Sequence, residues 1–134
     1  MRRTTRRVLP ISADKEAIAA AELAAQAIAG KKGSDLILLD VSEIVVLTDL
    51  FLIATGTSNR HVKALVEEVE TVLKADLDRK SLRREGEDHA RWALLDYGDF
   101  VVHVFDSETR GYYELERLWA DAPKLDLELV QADA

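Results

Sequence analysis

Cysteine is absent from the 134 residues, and proline, methionine and aromatic residues are scarce. Without cysteine the chain can form no disulfide framework, thiolate metal site or cysteine nucleophile. Long apolar runs are missing as well, because residues 13–29 mix charged side chains among the alanines. The sequence therefore predicts neither a signal peptide nor a membrane span, and we expect a cytoplasmic protein.

Positive charge is in the minority, with 18 Lys and Arg against 25 Asp and Glu and a net charge of -7. Four arginines within residues 1–10 carry +4, so the remaining chain carries -11. An acidic body disfavours a dedicated nucleic-acid binder, since phosphate backbones repel it. It favours a basic protein surface as the partner.

The chain is long enough for one domain with a hydrophobic core, and 48% of its residues are hydrophobic. We predict a basic flexible arm over residues 1–12, a folded domain over 13–119 and an acidic tail over 120–134. Ser12 is a candidate N-cap for the first helix.

Apolar periodicity predicts an α/β domain whose mixed sheet of about five strands is flanked by helices. Residues 41–49 are compatible with either a strand or a crossing loop. The predicted helices are 13–30, 62–73 and 112–119, and the predicted strands are 36–39, 50–54, 80–84, 92–95 and 100–105.

A hydroxyl-rich glycine loop separates the second strand from the second helix. Its Thr57 and Ser58, followed by Arg60, suit an anion at a helix N-terminus. The loop lacks the lysine of a P-loop and the glycine spacing of a dinucleotide site. Helix capping explains the same residues without a ligand, so both interpretations stay open.

Metal and nucleophilic chemistry find little support in the sequence. Aspartates lie at predicted strand ends, but no two are spaced Asp-x-Asp along one strand. The histidines lack zinc-ligand spacing, and His103, between two valines, is more typical of a hydrogen-bonded sheet residue than of a base. We therefore predict no metal, no cofactor and no catalytic residue.

Trp92, Leu94 and Asp96 share one face of their predicted strand by period two. Because an aspartate favours solvent, that face is expected to lie at least partly outward. An outward Trp beside Leu is the composition of a protein-binding hot spot, although aromatic residues are often simply core.

Several segments, in order and at matching spacing over about residues 14–119, resemble the ribosomal silencing factor family, also called RsfS or Iojap. The segments are Thr48-Asp49, Thr55-Gly56-Thr57-Ser58-Asn59-Arg60-His61-Val62, Trp92-Ala93-Leu94-Leu95-Asp96-Tyr97-Gly98-Asp99-Phe100-Val101-Val102-His103-Val104 and Tyr113-Glu114-Leu115-Glu116-Arg117-Leu118-Trp119.

The resemblance implies a nucleotidyltransferase-like fold without its catalytic carboxylates. It implies binding to the large ribosomal subunit through ribosomal protein L-fourteen, which blocks joining of the small subunit when nutrients are scarce. Trp92 carries over from the family's Trp-aliphatic strand motif.

Charge alone adds Asp96, Asp106 and Glu108 as contacts to a basic ribosomal protein. A homodimer through residues 112–119 stays open, and RNA contact is at most secondary. The alternative function is a nucleotide-binding enzyme of nucleotidyltransferase-like fold.

If the arginine-rich arm led an RNA-binding module, deletion of residues 1–10 would abolish ribosome binding, and binding by the full chain would collapse with salt. We expect instead that the deletion leaves association with ribosomal subunits unchanged in sucrose gradients. Loss of association on deletion would contradict the acidic body as the binding element.

Overall fold

A computed structural model describes residues 11–86, 91–112 and 120–127. The elements, in chain order, are α1 (Lys15–Gly30), β1 (Ser34–Asp40), β2 (Leu50–Gly56), α2 (Asn59–Leu77), β3 (Arg83–Glu85), β4 (Trp92–Asp96), β5 (Phe100–Asp106), α3 (Ser107–Tyr112) and β6 (Lys124–Leu125). Across these ranges, no helix combines the length and the apolar character needed to cross a bilayer.

The strands form one sheet in the order β3-β4-β5-β2-β1-β6. β2 and β5 pair in parallel at its centre, and all other neighbours are antiparallel. The mixed α/β architecture is confirmed, with six strands where the sequence predicted about five. The additional strand, β6, has only two residues, too few to show a period.

The main core lies between one face of the sheet and the two long helices. α1 contributes mainly alanines to it, and such small side chains let its backbone approach α2 and the sheet closely. α2 buries an i, i+3, i+4, i+7 series of larger residues, as its periodicity predicts. The series consists of Val62, Leu65, Val66, Val69 and Leu73.

α1 begins at Lys15, two residues later than predicted. Asp14, not Ser12, is its N-cap, and its carboxylate accepts hydrogen bonds from the backbone N–H groups of Glu16 and Ala17. The Ser12 N–H instead donates to Asp40 at 2.7 Å. The candidate N-cap was therefore wrong, because a long-range acceptor holds Ser12 outside the helix.

Residues 41–49 form a loop rather than a strand. The Val41 N–H donates to the Asp49 carbonyl, and the Asp49 N–H donates to the Asp99 carbonyl, so the loop is tied at both ends. The predicted edge strand at 80–84 is β3, shifted to Arg83–Glu85. The predicted helix at 112–119 overlaps the end of α3 at Tyr112, and its residues 113–119 lie outside the described residues.

Asp40 joins the start of α1 to the 41–49 loop. Its carboxylate is 1% exposed and accepts hydrogen bonds from the N–H groups of Ser12, Ala13 and Ser42 and from the Ser42 hydroxyl. Burial alone would raise the pKa of Asp40, but these hydrogen bonds outweigh burial and hold the pKa below its ordinary value. The ionised form is therefore the one that the fold requires.

Asp40→Asn should lower the free energy of unfolding by roughly 2–3 kcal/mol, because an amide directs N–H groups at donors that have lost their anionic acceptor. Urea denaturation at pH 7 measures the loss, and Asp76→Asn, at an exposed position on α2, is the matched control. Since the folded pKa is depressed, the Asp40 contribution is complete above the unfolded pKa near 3.8 and disappears as pH falls through the folded value. Equal stability of the two variants at pH 7 would contradict this role.

Candidate protein-binding face

The sheet has a second face, opposite α1 and α2, which we call the open face. Four of its side chains, Phe51, Trp92, Leu94 and Val101, are only partly buried. Phe51 pairs with Val101 across β2 and β5, Trp92 and Leu94 lie two residues apart on β4, and His103, which pairs with Leu94, lies between the two groups. The period-two prediction that Trp92, Leu94 and Asp96 share a face that is at least partly outward agrees with their positions.

Trp92 is neither a free surface residue nor a core residue. Its indole ring lies against the ring of Phe105, with centroids 4.6 Å apart and planes inclined by 31°. Phe105 is itself fully buried in a second, smaller cluster beneath the open face. One side of the indole is thus supported by a buried core residue, and the side chain as a whole stays partly exposed.

His103 lies at the centre of the open face, paired with Leu94 on one side and Ile53 on the other. Its Nδ1 accepts a hydrogen bond from the Trp92 indole N–H at 3.2 Å, and the Phe51 ring meets it edge-on at 4.9 Å. Because Nδ1 is the acceptor, the ring proton lies on Nε2. In the described part of the chain, buried Nε2 has no hydrogen-bond partner.

Burial lowers the pKa of His103 to about 4, because a 7% exposed imidazolium would be poorly solvated. The ring is therefore neutral at pH 7 and remains an acceptor for Trp92. The prediction of a hydrogen-bonded sheet histidine is confirmed for this residue.

The 41–49 loop adds apolar surface beside the open face. Val45 packs against the smaller cluster together with Phe51, whereas Val46 and Leu47 are 95% and 87% exposed. The loop is tied by backbone hydrogen bonds, so these two exposed side chains are held beside the open face.

The three acidic contacts predicted from charge have different environments. Asp96 is partly buried, and its carboxylate accepts from the Gly98 N–H at 2.8 Å and lies 3.6 Å from Arg83. Asp106 is buried and accepts from the Thr109 N–H, so it caps α3. Glu108 is exposed in the first turn of α3.

At the predicted anion site, the protein's own side chains use several of the donors. Ser58 caps α2 by accepting from the His61 N–H, and the Thr57 N–H donates to His61 Nδ1 at 2.9 Å. The other nitrogen, His61 Nε2, donates to the Lys31 carbonyl at the end of α1. Arg60 is exposed. This geometry agrees with capping, and an anion at Thr57, Ser58 and Arg60 stays a prediction.

No group of three or more potential metal ligands occurs among the described residues. Sequence reasoning missed Phe51 and Val101 as parts of the open face and the 44–47 loop as apolar surface beside it. Period two on β2 and β5 could have placed Phe51 and Val101 opposite the core, had the pairing of β5 between β4 and β2 been known.

Comparison with known proteins agrees with this architecture. Residues 14–134 match the family described as "Ribosomal silencing factor during starvation". The ribosomal silencing factor of Bacillus subtilis is 43% identical over 108 residues, covering 80% of this chain and 90% of that protein. A mouse protein named "Mitochondrial assembly of ribosomal large subunit protein 1" is 37% identical over 87 residues, covering 63% of this chain and 38% of its own length.

A crystal structure of a protein from Chromobacterium violaceum superposes with a TM-score of 0.74 at 37% identity, covering 86% of this chain and 94% of that one. A fold of this kind defines a small domain with a mixed sheet and two long helices on one face. The chain belongs to the ribosomal silencing factor family.

The low pKa of His103 predicts how its replacement alters the pH dependence of stability. The unfolded imidazole takes up a proton near pH 6.5 and the folded one near 4, so the wild type loses stability as pH falls between these values. The stability difference between wild type and His103→Asn should therefore change by roughly 3 kcal/mol from pH 7 to pH 4, against the wild type. Urea denaturation at each pH measures this difference, and a pH-independent value would contradict it.

Proposed function

We propose that this protein binds the large ribosomal subunit through ribosomal protein L-fourteen and blocks association with the small subunit, repressing translation when nutrients are scarce. The observation that carries the proposal is the open face, an apolar patch around Trp92 in a chain of the ribosomal silencing factor family. The name of the mouse relative, which refers to the ribosomal large subunit, supports the choice of subunit.

The open face has the composition of an interface core. Phe51, Trp92, Leu94 and Val101 offer aromatic and aliphatic surface, with Asp96 at its edge as the cross-strand partner of Val101. Aromatic anchors dominate binding energy in protein interfaces. Val46 and Leu47 would extend the contact toward the roughly 800 Å² per partner of a standard interface.

Charged residues form the rim around this patch. Arg83 pairs with Glu85 and Asp96 at the β3 edge, and Glu108 is exposed on α3. Of the three acidic contacts proposed for a basic partner, Glu108 is the most accessible. Asp96 could reorient from Arg83, since a partly exposed ion pair contributes little to stability. Asp106, which caps α3, is the weakest of the three.

The proposed action is steric and requires no catalysis. A domain of 134 residues has a radius of gyration of about 14 Å, which suffices to separate two surfaces that must touch. The family name, silencing, describes regulation rather than a reaction. An acidic body on a basic ribosomal protein also repels neighbouring RNA, which would limit nonspecific contact.

Trp92→Glu should weaken binding to isolated large subunits by about 30-fold or more, because it removes the central anchor and inserts a charge into an apolar contact. The same variant should no longer lower the fraction of subunits that reassociate in a sucrose gradient. Leu94→Glu, on the same face, should behave alike. Leu77→Glu is the matched control, since Leu77 is exposed on α2, on the opposite side of the sheet.

Thermal unfolding of each variant separates lost binding from lost folding, because Trp92 also packs on Phe105. If wild-type protein leaves subunit reassociation unaffected, the proposed function is wrong. If it binds large subunits but not purified ribosomal protein L-fourteen, only the choice of partner protein is wrong.

The homodimer remains a prediction as well. Residues 113–119 lie outside the described residues, but an apolar open face could also receive a second copy of the chain. Light scattering of wild type and Trp92→Glu distinguishes the cases. A dimer that Trp92→Glu dissociates would mean that self-association and ribosome binding compete for one surface.

A further inference from the structure

We propose that His103 is the positioning residue of the open face: its Nδ1 accepts the Trp92 indole hydrogen and so fixes the orientation in which Trp92 meets a partner. The inference rests on the proposed function for its binding readout only. In this proposal His103 does not contact the partner itself and affects binding only by orienting Trp92.

The geometry around the indole supports this role. The indole ring contacts the Phe105 ring at a centroid distance of 4.6 Å and the His103 ring at 6.1 Å, and these contacts constrain the plane of the indole. The hydrogen bond from Trp92 Nε1 to His103 Nδ1, at 3.2 Å, adds a direction within that plane, because a flipped ring would point its only N–H elsewhere. Packing and the hydrogen bond together determine one orientation.

His103 is itself held in place. It lies between Leu94 and Ile53 across β4, β5 and β2, and the Phe51 ring contacts it edge-on. At 7% exposure the imidazole has little room to change rotamer. Because the sheet holds His103 in place, its Nδ1 offers Trp92 an acceptor at a fixed position.

The burial of Nε2 indicates that the arrangement has a cost. A buried N–H without a partner in the described part of the chain is unfavourable, and a leucine or phenylalanine would avoid it. A polar residue at this central position is therefore explained by what Nδ1 does. Fixing an anchor before binding reduces the rotamer entropy lost on association.

The chain offers matched variants for a test. His103→Leu removes the acceptor while staying apolar, whereas His103→Asn can place its side-chain oxygen near the position of Nδ1. Trp92→Phe removes the indole N–H while keeping an aromatic anchor. His103→Leu should weaken binding to isolated large subunits about 5–10-fold, and His103→Asn should recover most of the loss. In the Trp92→Phe background, His103→Leu should change affinity less than about 2-fold, since the bond is already gone.

A second readout does not depend on any ribosome. The indole N–H signal of Trp92, assigned by its disappearance in Trp92→Phe, should shift and exchange faster with water in His103→Leu than in wild type, with His103→Asn in between. Thermal unfolding of each variant confirms that it folds.

Equal loss of affinity on His103→Leu with Trp92 or Phe at position 92 would overturn the proposal, because His103 would then act independently of the indole. An indole signal that is unchanged in His103→Leu would overturn it as well. Absence of wild-type binding to large subunits would refute the proposed function instead, and the indole signal would still decide the role of His103.

Discussion

The parallel pairing of β2 with β5 is the constraint on which the rest of the domain depends. Seven residue pairs, from Leu50 with Phe100 to Gly56 with Asp106, join two strands that point the same way. Two parallel neighbours must be joined by a crossover connection. Here the connection from β2 to β5 consists of α2, β3 and β4. Since α1 packs beside α2, both long helices share one face of the sheet. Neither of these helices covers the opposite face, so the side chains of the strands themselves determine how much of it is exposed to water.

That division explains why some side chains of the open face are fully buried and others are partly exposed. Residues near its centre, such as Ile53 and Phe105, are buried, while Phe51, Leu94 and Val101 keep some exposure. The partly exposed Trp92 donates its indole N–H to the buried His103, so the hydrogen bond joins an exposed part of this face to a buried part. A surface built in this way can stay in water as a monomer and still offer dry contact area once a partner covers it.

Local patterns predicted much of this molecule, and long-range contacts decided the remainder. The alternation that placed Trp92 and Leu94 on one face, and the spacing of the α2 core residues, depend only on backbone geometry. Ser12 and Asp14 are both good capping residues, and the choice between them follows from Asp40, 28 residues after Ser12 in the chain. The acceptor role of His103 toward Trp92 likewise needs the β4–β5 register, which the two predicted strands do not provide by themselves. Features that depend on one strand could therefore be predicted from the sequence, whereas contacts between strands could not.

The hydrogen bonds between the start of the described chain and the 41–49 loop also couple two parts of the fold. Ser12 donates to Glu43 and shares a hydrogen bond with Ser42, in the same loop that carries the exposed Val46 and Leu47. A change that opens this loop therefore also removes hydrogen-bond partners from the residues that precede α1. The conformation of an exposed apolar loop and the start of the first helix thus depend on the same few contacts.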